Sequence, residues 1–163
     1  MRKELDKLIQ ISMMTSIVVV LEKALESIPN VQLTVVLLMA FIFFLTLPEA
    51  LLLATAYTLL DILLGGVSLY AIPMIIAWNF FAFIVYLAKG KLKTLLIIGF
   101  IYPIFYSILL GLPYIYSLNL DIKAYFIADI PFTLVFMIAN VLTIIWLYPI
   151  ITKTLSNYIG VNK

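Results

Sequence analysis

Long uncharged runs alternate with short polar breaks along the whole chain, and the lengths of those runs set the predicted elements. A charged leader with Arg2, Lys3, Glu4, Asp6 and Lys7 precedes an apolar stretch that predicts a first helix over about 8–28. The stretch has the look of a signal-peptide core, but the leader carries acids and no small-residue cleavage site follows, so it reads as a retained helix. It runs into the polar break Glu22-Lys-Ala-Leu-Glu-Ser-Ile-Pro29-Asn30-Val-Gln32, where Pro29 ends the helix. Further apolar runs predict helices over 31–47, 49–64, 69–88, 94–112 and 124–152. Pro48-Glu49, Gly65-Gly66, the basic connection 89–93 and Gly111-Leu-Pro113 punctuate them. Each run approaches the roughly 20 residues that a bilayer-crossing helix requires.

Composition turns this pattern into a class. Of 163 residues, 66% are hydrophobic and 11% charged, with mean hydropathy +1.23, whereas a soluble domain carries about 25% charged residues. The expected fold is all-α: one polytopic membrane domain over 1–163, with six transmembrane helices. Six spans put both termini on one side. Arg2, Lys3, Lys7, Lys89, Lys91, Lys93, Lys153 and Lys163 then share that side, and only Lys23 and Lys123 lie opposite. The positive-inside rule makes the termini cytoplasmic and the protein a multi-pass protein of the cell membrane.

Several chemistries drop out. Cys and His are absent, which removes thiolate and imidazole metal sites, Cys nucleophiles, His acid/base catalysis and disulfides. No phosphate-binding Gly-rich loop or nucleophile elbow occurs, and no paired-carboxylate motif lies on the inner side. A net charge of +2 without a basic stripe speaks against nucleic acid. Neither catalysis nor a cofactor is expected, and energy would have to come from a partner.

The remaining polar side chains are the candidate site. Asn30 and Gln32 place amides at the outer break, as part of a lid. Asp61, with Tyr57 one turn below, either caps its turn and snorkels to water or meets a ligand. Asp129, Thr133, Phe136 and Asn140 recur at helical spacing beside Pro131, as a pocket wall or as an interhelical hydrogen-bond seam. Trp78 and Asn79 at mid-span must face protein or a cavity, since lipid satisfies neither N–H group. Together these residues suggest an outward-facing pocket suited to a neutral or zwitterionic heterocycle. Ser12 and Ser16, and Ala50 and Ala54, form small-xxx-small pairs that permit close helix approach, inside the bundle or against another membrane protein.

Three segments carry a family resemblance: Ser27-Ile-Pro-Asn-Val-Gln-Leu, Asp61-Ile-Leu-Leu-Gly-Gly, and Tyr125-Phe-Ile-Ala-Asp-Ile-Pro-Phe-Thr-Leu leading to Ala139-Asn140. In these the chain resembles the substrate-binding S components of energy-coupling factor transporters. The resemblance implies a six-helix subunit that captures a vitamin or similar micronutrient outside the cell. It would work with a transmembrane coupling subunit and two cytoplasmic ATPases. Family members dock through a small-residue face on the first helix, commonly Ala-x-x-x-Ala, and Ser12-Met-Met-Thr-Ser16 stands in the similar place. The competing expectation is a membrane scaffold similar to the rod-shape-determining MreD family, which has similar length and span count. A small membrane enzyme ranks last.

Overall fold

The computed structural model describes residues 2–25 and 33–159, and among them every regular element is an α-helix. In chain order they are α1 (Arg2–Leu25), α2 (Thr34–Ile42), α3 (Leu47–Gly65), α4 (Ala71–Ala88), α5 (Leu92–Ser117) and α6 (Ile122–Ile159). Five of them, α1 and α3 to α6, are long and apolar enough to cross a membrane. The all-helical class is as the sequence predicts.

The second element departs from the predicted span over 31–47. α2 has nine residues, which rise roughly 14 Å at 1.5 Å per residue, about half the hydrocarbon thickness of a bilayer. Its sequence, Thr-Val-Val-Leu-Leu-Met-Ala-Phe-Ile, has no polar face to turn outward, so it is stable only where every side is covered. All nine residues are buried, against α1, α3, α4 and α6. The chain leaves this helix before Pro48 because Thr46 and Glu49 form a reciprocal capping box that starts α3 at Leu47. The Glu49 carboxylate accepts the Thr46 N–H at 2.8 Å.

Two ion pairs fix the direction of the neighbours. Lys7 Nζ meets Glu49 Oε1 at 2.6 Å near the starts of α1 and α3, and Lys23 Nζ meets Asp61 Oδ1 at 3.3 Å near their ends. The two helices therefore run parallel, side by side, and the stretch between them, with α2 inside it, brings the chain back. The Tyr57 hydroxyl donates to Glu22 Oε1 at 3.0 Å and adds a third tie between the same two helices. From α3 onward short turns make successive helices antiparallel, so α6 ends at the end of the bundle where α1 begins.

The turn between α4 and α5 shows how closely that end is packed. Lys89 and Gly90 both have left-handed backbones, with φ of 48° and 71°. A β-carbon on Gly90 would overlap the Phe43 ring at the end of α2. At the opposite end, Asp121 caps α6 by accepting the Ala124 N–H at 2.7 Å. Helices α5 and α6 outrun the predicted stops at 112 and 152, passing through Pro113 and Pro149 without ending. Prolines are tolerated inside membrane helices where nearby groups can satisfy the carbonyl that each one frees. The outward positions, among them Met13, Leu52, Ile76, Ile97, Ile104 and Leu142, are exposed and apolar, as a surface facing lipid must be.

Candidate functional site

At the end of the bundle opposite the start of α1, the facing surfaces of α5 and α6 part to leave a cavity of about 410 Å³. On α5 the lining residues recur with the helical period: Pro103, Tyr106, Ser107, Leu110 and Tyr114. On α6 the same holds for Tyr125, Asp129, Phe132, Thr133 and Phe136. Tyr70, from the turn before α4, completes the wall. Its ring stacks on Tyr114 with centroids 5.3 Å apart and an interplanar angle of 28°. Deeper in, Tyr106 meets Phe136 edge to face at 6.2 Å.

Asp129 is the one charged side chain in this lining. Its Oδ2 accepts the Thr133 hydroxyl at 2.6 Å and, from across the seam, the Ser107 hydroxyl. The three residues also border a second, lipid-side hollow of about 470 Å³, lined otherwise by apolar side chains such as Ile104, Ile108, Phe126 and Leu134. The carboxylate thus stands in a partition between two spaces. The lining thus presents one carboxylate, two hydroxyls bonded to it and six aromatic rings.

The other sequence candidates go elsewhere. Asn140 is fully buried, and its Nδ2 donates to the Gly99 carbonyl at 3.1 Å. That carbonyl is the one whose usual helical donor would be residue 103, and proline has no N–H to give. Asn140 thus repairs the α5 ladder from α6, and its side chain does not line the cavity. Gly99 makes this approach possible, since a β-carbon there would run into Ile144 and lie 3.6 Å from the Asn140 Cβ. Asn79 likewise serves a seam: Oδ1 accepts the Thr55 hydroxyl at 3.1 Å and Nδ2 donates to the Ile75 carbonyl at 2.9 Å. Tyr57 and Asp61 are engaged by Glu22 and Lys23, which ties α3 to α1.

Trp78 lies one layer beneath the cavity, in an aromatic cluster. Its ring is edge-on to Tyr57 at 5.2 Å and tilted against Tyr106 at 5.7 Å. Asn30 and Gln32, the proposed lid, lie outside the described residues. Of the two small-residue pairs, Ala50 and Ala54 are fully buried and let helices approach within this bundle, so they offer no face to a partner. Ser12 and Ser16 are exposed on α1, among Leu5, Leu8, Ile9, Met13 and Ile17.

The sequence reading found Asp129, Thr133 and Phe136 but missed the α5 wall, Tyr106 and Ser107 above all, and did not single out Tyr70 or Tyr114 for the site. A signal was present, since 103, 106, 107, 110 and 114 share one helical face. What fold and cavity define is a class: an all-helical protein with an apolar exterior, several membrane-length helices, and an aromatic hollow holding one carboxylate. The chain matches no family model, no curated protein and no solved structure.

Proposed function

We propose that this protein captures a small organic solute within the membrane, as the substrate-binding subunit of an ATP-driven uptake transporter of the S-component kind. The observation that carries the reading is the α5–α6 cavity, with its six aromatic rings, one carboxylate and about 410 Å³ of space. That size falls within the range of small-molecule sites, and the lining has their usual makeup of apolar walls with few placed polar groups. The chain crosses the cell membrane six times with both termini cytoplasmic, α2 lying in the return between the parallel α1 and α3. Lys7, Lys89, Lys91, Lys93 and Lys153 then sit on the cytoplasmic side, and the cavity opens outward. Energy comes from a coupling subunit and two ATPases, docked on the exposed α1 face around Ser12 and Ser16.

Three experiments test this. Native mass spectrometry of the protein released from nanodiscs should find a bound small molecule, and purification from mild detergent should bring down a membrane subunit with ATPases. Empty protein that co-purifies with cell-wall elongation proteins would favour the scaffold reading instead. The chain has no cysteine, so Asn119→Cys and Lys91→Cys report topology directly. An impermeant thiol reagent should label the first from outside and the second only after permeabilisation, and the reverse would invert the orientation.

A further inference from the structure

Resting on the capture reading, the geometry of the α5–α6 cavity points to its class of solute, an organic monocation with a flat or compact apolar body. Charge is the first argument. Asp129 alone among the lining residues is charged, and among the described residues it makes no ion pair, while Lys7 and Lys23 are engaged by Glu49 and Asp61. A carboxylate among membrane-spanning helices is costly, and costs most without a counter-charge. Two hydroxyls offset part of that cost, but both converge on Oδ2. No hydrogen bond from the described residues reaches Oδ1, which leaves one acceptor for a guest.

The walls make the second argument. Tyr70, Tyr106, Tyr114, Tyr125, Phe132 and Phe136 surround the same space, and aromatic faces attract organic cations through the ring quadrupole. An anion would be repelled by both Asp129 and the ring faces. A hard divalent cation fits the lining less well, since calcium and magnesium sites are built on charged oxygen ligands and among the described residues no group of three or more carboxylates could hold such an ion. A neutral heterocycle fills the space but leaves the charge unanswered. The structure therefore favours an ammonium or protonated heterocycle over the neutral or zwitterionic molecule expected from sequence.

Phenyltrimethylammonium and its neutral isostere tert-butylbenzene, titrated calorimetrically into the full chain in nanodiscs against empty nanodiscs, separate charge from shape. The cation should bind at least about tenfold more tightly than the isostere. Asp129→Asn should remove that preference while leaving isostere binding in place, which also shows that the variant is folded. Should that variant fail to fold, Phe136→Leu should narrow the preference without abolishing binding. Equal binding of both probes, or a preference that survives Asp129→Asn, overturns the monocation and leaves capture standing. If neither probe binds and native mass spectrometry finds a neutral or anionic guest, the monocation again falls alone. If neither binds and no guest is found, the capture reading falls with it.

Discussion

Asn140 and Pro103 offer the sharpest test of how the α5–α6 seam is held. Pro103 removes the helical donor of the Gly99 carbonyl, and Asn140 Nδ2 replaces it at 3.1 Å. Asn140→Ala should therefore leave a buried carbonyl unsatisfied, at a cost of about 1–3 kcal/mol. Interhelical hydrogen bonds measured within membranes average about 0.6 kcal/mol, which sets the lower bound. Pro103→Ala restores an N–H within the α5 ladder, so the same carbonyl regains a donor from its own helix. In that background Asn140→Ala should cost less, by at least about 0.6 kcal/mol, because what remains is lost packing alone. The four proteins of this double-mutant cycle can be compared by reversible unfolding in mixed micelles, where the coupling reads out directly. Equal cost in both backgrounds would refute the repair and reduce Asn140 to a space-filling residue.

Other tests follow from the contacts between helices. Tyr57→Phe removes the hydroxyl that Glu22 accepts at 3.0 Å and should destabilise by about 1.5–3 kcal/mol, as for hydrogen bonds to charged groups; a loss within error would make Tyr57 a packing residue only. Asp61→Asn should cost less than Tyr57→Phe in the same unfolding assay, because Lys23 keeps 31% and Asp61 15% of its side chain exposed, so water screens part of the pair. A larger loss than that of Tyr57→Phe would invert this ranking. Gly90→Ala combines a left-handed backbone with overlap of the Phe43 ring and should cost about 1–3 kcal/mol. Phe43→Ala in the same chain should recover part of that loss, and no recovery would leave backbone strain as the whole effect.

Much of the fold was legible because a bilayer-length apolar run has few alternatives. The runs over 49–64, 94–112 and 124–152 lie within observed helices, and the run over 69–88 lies within one from Ala71 onward; the capping box at Thr46 and Glu49 was present as spacing even where the predicted boundary missed it. α2 was harder, since its apolar residues fit a spanning helix and a short buried one equally. Periodicity could not separate the two, as a helix that is apolar all round has no face to read. The candidate site divided in the same way. Asp129 stood out as a polar group in an apolar run, but Asn79 and Asn140 stood out for the same reason and hydrogen-bond to Thr55, Ile75 and Gly99 within the bundle. A polar side chain in a membrane helix needs a partner, and sequence does not say whether that partner is protein or guest.

The sequence by itself determined that the chain is helical, that its exterior is apolar, and which residues share a face along α5 and along α6. These follow from local rules: run length, helical spacing and capping. Only the tertiary structure decided that α2 is short and buried on every side by α1, α3, α4 and α6. It alone brought the 103–114 face against the 125–136 face, with Asp129 shared across the seam. Such pairings depend on contacts between residues far apart in the chain, and where the helices part or touch depends on the volume of single side chains, such as the missing one at Gly99.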